Sequence, residues 1–173
     1  MNMLGMMLEE STAARTGSWR SRKTERDMES DRREMVPEER GTVLIVDDDA
    51  TVRLTFSEQL SLDGYRVVVA TSADEARARL DIIQPDVILC DLVMNGINGD
   101  EFCTWLKEHE TWRFVPVIAI TRIDHPAALA GMLDAGADVV VVKPVNASEL
   151  RARVAAAQRT RSRYVDLMQS ACR

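Results

Sequence analysis

The sequence predicts an α/β fold, a doubly wound five-stranded parallel sheet flanked by five helices. Three observations carry that prediction. Five short runs are apolar continuously rather than in alternation, which marks strands covered on both faces. Amphipathic stretches of helical length separate them, and glycines and prolines stand at the boundaries.

Taken in order, the first run is Thr42-Val-Leu-Ile-Val46, followed by a predicted helix over 50–63 that closes at Asp63-Gly64. The second, Arg66-Val-Val-Val-Ala70, precedes a helix over 72–84 stopped by Pro85. Asp86-Val-Ile-Leu-Cys90 leads to a helix over 99–110. Val115-Pro-Val-Ile-Ala-Ile120 leads to one over 125–136, with Pro126 near its start and Ala135-Gly136 at its end. Asp138-Val-Val-Val-Val142 is the fifth strand, and Leu150, Val154 and Ala157 give helical spacing to a last helix over 147–160.

Residues 1–40 sustain neither period. Mixed charge is dense there and Pro37 interrupts what helical pattern exists, so this segment is expected to be disordered or weakly helical. Its clustered methionines (Met1, Met3, Met6, Met7, Met28, Met35) also point to a later translation start. The folded domain is expected over 41–160. Residues 161–173 form a tail, read either as frayed or as a helical extension of the seam Leu150, Val154, Ala157, Arg161, Tyr164 and Met168.

Composition narrows the function. Apolar residues make up 46% of the chain and charged residues 29%, the balance of a soluble globular protein. No apolar run approaches the roughly 20 residues that span a bilayer, and Glu9-Glu10 interrupt the apolar start before a secretory segment forms. Cys90, Cys103 and Cys172 have neither disulfide-framework nor metal-ligand spacing, so reduced thiols and a cytoplasmic location are expected. The net charge of −6 divides into −1 over 1–40, −9 over 41–145 and +4 over 146–173. Such an acidic body suits neither nucleic acid nor a membrane surface, and the Arg-rich end is read as a solvated helix face.

In doubly wound sheets ligands bind beyond the carboxyl ends of the strands. Asp47-Asp48-Asp49 follow the first predicted strand, Asp91 the third, Thr121 the fourth and Lys143-Pro144 the fifth. Clustered carboxylates repel one another and resist desolvation, so a hard cation with oxygen ligands is their natural partner. Magnesium fits best: Mg²⁺ takes one or two carboxylates, keeps several waters and accepts a phosphate oxygen. A lysine and a hydroxyl nearby supply donors for phosphoryl oxygens. The turn after the first strand has no Gly-rich phosphate cradle and no dinucleotide fingerprint. His109 and His125 stand at no strand end beside a nucleophile and are expected on helix surfaces, which leaves a hydrolase triad without support.

The blocks Val43-Leu-Ile-Val-Asp47-Asp48-Asp49, Val87-Ile-Leu-Cys-Asp91-Leu-Val-Met94-Asn-Gly96 with Gly99, Ile120-Thr121 and Lys143-Pro144 resemble the receiver domain of the two-component response regulator family. Gly64-Tyr65 and Gly136-Ala137-Asp138 agree, and the likeness covers roughly 41–160. It implies the flavodoxin-like receiver fold and a phospho-acceptor role for Asp91, fed by a sensor histidine kinase or a histidine phosphotransfer protein. It implies that Asp48 binds Mg²⁺ directly, Asp47 chiefly through water, and Asp91 and the backbone carbonyl of Val93 complete the protein ligands. Lys143 is implied to pair first with Asp91 and then with the phosphoryl oxygens, and Thr121 to turn its hydroxyl onto them. Asp49 is expected to face solvent or cap the first helix. Such a protein is no enzyme beyond its own phospho-acceptance and dephosphorylation.

Three positions depart from the family pattern. Asn95 replaces the usual Pro, Arg122 the usual small residue after Thr121, and Val140 the usual switch aromatic three residues before Lys143. With Val140 the coupled Thr–aromatic switch cannot operate in its usual form, so the response is expected to stay in 91–99, 121–126 and the helix after them. Arg122 is read as either obstructing the phosphoryl site or pairing with it. No output domain is recognised, so signalling by protein–protein contact is expected, with any homodimer weak or constitutive through 150–168. The alternatives are the receiver part of a longer signalling protein and a phosphorylation-independent interaction module.

Overall fold

The computed structural model of the chain describes residues 39–94 and 98–171. The expectations for residues 1–38, Asn95, Gly96 and Cys172 lie outside them. The elements run β1 (Thr42–Val46), α1 (Ala50–Leu62), β2 (Arg66–Ala70), α2 (Ala73–Ile83), β3 (Val87–Asp91), α3 (Gly99–Glu108), β4 (Val117–Thr121), α4 (Pro126–Asp134), β5 (Val139–Val142) and α5 (Ala147–Ala171). The five strands form one parallel sheet in the order β2-β1-β3-β4-β5, as the continuous apolar runs predict.

Alternation along each strand builds two cores. Leu44, Val46, Ile88, Cys90, Val117 and Ala119 face α2, α3 and α4, which contribute Leu80, Phe102 and Met132 among others. Val43, Ile45, Val87, Leu89, Ile118 and Ile120 face α1 and α5 through Phe56, Leu60, Leu150 and Val154. Burial of this kind contributes about 25 cal/mol per Å² of apolar surface and fixes which face of each strand meets which helix layer, while parallel pairing brings all the carboxyl ends to one edge.

Two predicted strand starts shift for one reason. Asp86 and Asp138 spend their carboxylates as clamps, Asp86 Oδ2 accepting from Thr42 N at 2.8 Å and Asp138 Oδ2 from Val117 N at 2.8 Å. Lys107 Nζ, 2.8 Å from the same Asp138 oxygen, ties α3 to this clamp. Gly136, at φ +104°, is the only residue type that suits the turn before β5, because a Cβ there would strike the Lys107 side chain. At the other end the strands run further than expected, so Asp91 and Thr121 close β3 and β4, paired with Ile120 and Val142.

The last helix is a correction. It does not end at Thr160 but continues to Ala171, 25 residues in all and about 37 Å long at about 1.5 Å per residue. Leu150, Val154 and Ala157 are buried, and Arg161 and Tyr164 on the same seam are half-buried. Tyr164 stacks on Phe114 with ring centroids 4.1 Å apart, which gives the extension a tertiary anchor. His109 also differs from expectation: it is half-buried between Trp105 and Trp112, its ring centroid 5.3 and 6.2 Å from theirs. His125 is exposed, and its side chain caps α4 by accepting from Ala127 N. Among the described residues no helix is long and apolar enough to cross a membrane.

Candidate functional site

The carboxyl edge of β1, β3, β4 and β5 gathers the residues singled out in the sequence. Asp47 follows β1 directly and is 2% exposed, whereas Asp48 beside it is exposed. Asp47 Oδ1 accepts from Asp49 N at 2.8 Å, and the Asp47 carbonyl accepts from the Arg53 guanidinium at 2.6 Å. Asp49 caps α1: its side chain accepts from Thr51 N at 2.8 Å and Val52 N at 3.4 Å. Those two N–H groups hold its carboxyl below the usual carboxylate value.

Asp91, the last residue of β3, accepts from Val93 N through Oδ1 at 3.3 Å. Immediately after β5, Lys143 reaches across the sheet edge, its Nζ 2.7 Å from Asp91 Oδ2 and 2.9 Å from Asp47 Oδ2. The Lys143–Pro144 bond is cis. The backbone N–H of Lys143 donates to the Thr121 carbonyl at 2.6 Å, so β4 and β5 deliver their ends together. Thr121 is fully buried, and its hydroxyl accepts from Ile123 N at 3.0 Å. Gly99 starts α3 where a Cβ would overlap the Asp91 carbonyl, so α3 approaches the Asp91 backbone this closely only because residue 99 is glycine.

One ammonium serving two carboxylates leaves a charge imbalance. Burial disfavours the Lys143 cation, yet its hydrogen bonds to Asp91 and Asp47 outweigh that and raise its pKa above the ordinary lysine value. Asp47 is also raised: burial costs its anion more than the shared ammonium and the Asp49 N–H return, and the Asp91 charge adds to the penalty. Carboxylate oxygens of Asp47, Asp48 and Asp91 all lie within 4.8 Å of one another. Three carboxylates offering oxygen ligands so close together fit a hard divalent cation.

Beside this cluster lies a cleft of about 270 Å³ lined by Asp48, Asp49, Asp91, Val93 and Arg122. Arg122 also borders an adjoining groove of about 500 Å³ formed with Thr51, Val52, Thr55, Phe56, Lys143, Pro144 and Val145. Val140 is half-buried and packs against the core under α2, α3 and α4. Sequence reasoning missed Arg53. The available signal was its place one turn into a helix that begins right after the triple aspartate.

Fold and site together define a parallel five-stranded α/β domain with an acidic, lysine-bridged crevice at its carboxyl edge. The family model described as the response regulator receiver domain matches residues 43–155, and the chain belongs to that family. The response regulator MprA of Mycobacterium sp. (strain KMS) is 37% identical over 123 residues, covering 69% of this chain and 51% of that protein. The transcriptional regulatory protein KdpE of Staphylococcus aureus is 32% identical over 117 residues, covering 68% of this chain and 49% of that protein. The chain thus spans about half the length of the curated relatives it matches. Among solved structures, the chemotaxis protein CheY4 of Vibrio cholerae superposes with TM-score 0.64 at 29% identity, over 67% of this chain and 97% of that one. The signal receiver domain of a histidine kinase from Syntrophus aciditrophicus gives TM-score 0.63 at 30% identity, over 70% and 90%.

Proposed function

We propose that this receiver domain takes a phosphoryl group onto Asp91 from the phosphohistidine of a sensor kinase or phosphotransfer protein, and signals by protein–protein contact. The observation that carries the reading is the Lys143 ammonium shared by Asp91 and Asp47, with carboxylate oxygens of Asp47, Asp48 and Asp91 within 4.8 Å of one another. Asp47, Asp48 and Asp91, with the Val93 carbonyl, are the residues that would hold Mg²⁺. When bound, the ion supplies charge neutralisation and orients a phosphoryl oxygen.

An Asp91 carboxylate oxygen attacks phosphorus, the phosphorus–nitrogen bond of phosphohistidine breaks, and the imidazole nitrogen keeps the electron pair. Lys143 then exchanges its contact with Asp91 for a phosphoryl oxygen while keeping Asp47, which holds it in place. Thr121 donates its hydroxyl to the phosphoryl group after giving up Ile123 N, and that carries the start of the β4–α4 loop with it. Residues 41–160 are the phosphoaccepting unit in this reading, with 161–171 a helical continuation. A cytoplasmic location follows from the kinase partner the reading requires.

Incubation with acetyl phosphate and Mg²⁺ tests this by intact mass. One added phosphoryl group is expected, absent in the presence of a chelator and in Asp91→Asn. Labelling that persists in Asp91→Asn at the same stoichiometry contradicts it.

A further inference from the structure

Arg122 stands at the mouth of the acidic cleft in an arrangement with two alternatives built in. Its guanidinium lies 3.5 Å from Asp49 Oδ2, a long and exposed ion pair with the Arg side chain 75% accessible. Asp49 is held for this contact by its capping role, because Oδ1 accepts from the Thr51 and Val52 N–H groups and leaves Oδ2 turned to Arg122. Arg122 lines the cleft together with Asp91 and Val93. An ion pair so long and so exposed holds little energy and exchanges readily. A phosphoryl group brings about two negative charges and three acceptor oxygens to that cleft, and a guanidinium fork matches phosphoryl oxygens in geometry as well as charge.

We propose that Arg122 is a cover for the phosphorylated site. With Asp91 unmodified it rests on Asp49 and leaves the mouth open to an incoming phosphohistidine. With Asp91 phosphorylated it transfers to the phosphoryl oxygens and occupies the approach that a hydrolytic water requires. Hydrolysis needs a water oxygen to form its bond to phosphorus from the side opposite Asp91. The bond to the Asp91 oxygen then breaks, the carboxylate keeps the electron pair, phosphate departs and the water's proton passes to solvent. Among the residues lining the cleft Asp91 is buried and Arg122 exposed, so a cover at Arg122 meets a water entering from solvent and lengthens the lifetime of the aspartyl phosphate. This inference rests on Asp91 being the acceptor.

The test labels wild type, Arg122→Ala, Arg122→Lys and Asp49→Asn with acetyl phosphate and Mg²⁺, desalts each, and follows loss of the phosphoryl mass with time. Arg122→Ala is expected to shorten the lifetime about tenfold, and Arg122→Lys, with charge but no fork, to fall between. Asp49→Asn retains a capping oxygen but weakens the resting contact, so its lifetime is expected to equal or exceed wild type while its labelling slows. That split between labelling rate and lifetime is one a merely structural role of Arg122 would not produce. Equal lifetimes in all four proteins, or a longer one in Arg122→Ala, overturn the cover and leave the acceptor reading intact. Absence of labelling in every protein overturns both.

Discussion

The Lys143 ammonium donates to Asp91 Oδ2 at 2.7 Å, joining the residue after β5 to the last residue of β3 across the intervening strand β4. Both side chains are about nine-tenths buried, as is the Asp47 that shares the ammonium. Removing the cation leaves two buried carboxylates facing each other, and breaking such a pair on one side costs about 3 kcal/mol. Lys143→Met is therefore expected to lower stability by that order in urea denaturation without Mg²⁺. Added Mg²⁺ should restore part of the loss, because a ligand bound only by the folded state stabilises it. An unchanged urea midpoint without Mg²⁺ would show that the ammonium does not hold the two strands' ends together.

Gly99 links helix start to site. A Cβ there meets the Asp91 carbonyl and lies 2.9 Å from Leu92 Cα, both backbone atoms with little room to give. Gly99→Ala is expected to cost about 2 kcal/mol in urea denaturation and to reduce acetyl phosphate labelling along with it. Full labelling in a destabilised Gly99→Ala protein would separate the helix start from the geometry of Asp91.

The extension of α5 depends on the Phe114–Tyr164 stack. Beyond Ala157 no described residue of the helix is fully buried, and that ring pair anchors 161–171 among the described residues. Such pairs contribute about 0.5–1.5 kcal/mol. Tyr164→Ala is expected to speed amide hydrogen exchange over 161–171 and leave 147–157 protected. Equal protection in both proteins would mean the extension is held otherwise.

Acid sensitivity has a local source at the start of α2. The Glu75 carboxylate accepts from Thr71 N at 2.6 Å and from the Thr71 hydroxyl at 2.7 Å, and these bonds lower its pKa from the ordinary 4.5. A group whose folded pKa is depressed contributes stability above its unfolded pKa and loses it as pH falls through the folded one. Wild type is therefore expected to lose more stability than Glu75→Gln between neutral pH and values below 4.5. Parallel urea midpoints across that range in the two proteins would contradict the assignment.

Much of this architecture is readable in the residues, and the exceptions have identifiable causes. Continuous apolar runs mark all five strands; β1, β3 and β4 are buried on both faces, and the edge strands β2 and β5 carry the same pattern while only partly buried. The sequence places Asp86 and Asp138 in strands, since composition does not distinguish a ladder position from a side-chain clamp. The sequence leaves the choice between a frayed tail and a helical extension open, because Tyr164 finds its partner in Phe114, fifty residues away in the chain. At the site, Asp47, Asp48, Asp91 and Lys143 converge as strand-end logic expects. The sequence left Arg122 undecided, because its contact with Asp49 depends on how the N-cap of α1 orients one carboxylate oxygen.

The measurement that bears most directly on the role of Asp91 is site mapping of the phosphoryl group. Protein labelled with acetyl phosphate and Mg²⁺ is treated with borohydride, which reduces an aspartyl phosphate to homoserine, then digested and sequenced by mass spectrometry. Homoserine is expected at position 91 and at no other aspartate. Homoserine at position 47 or 48 with Asp91 unmodified would contradict the proposed acceptor.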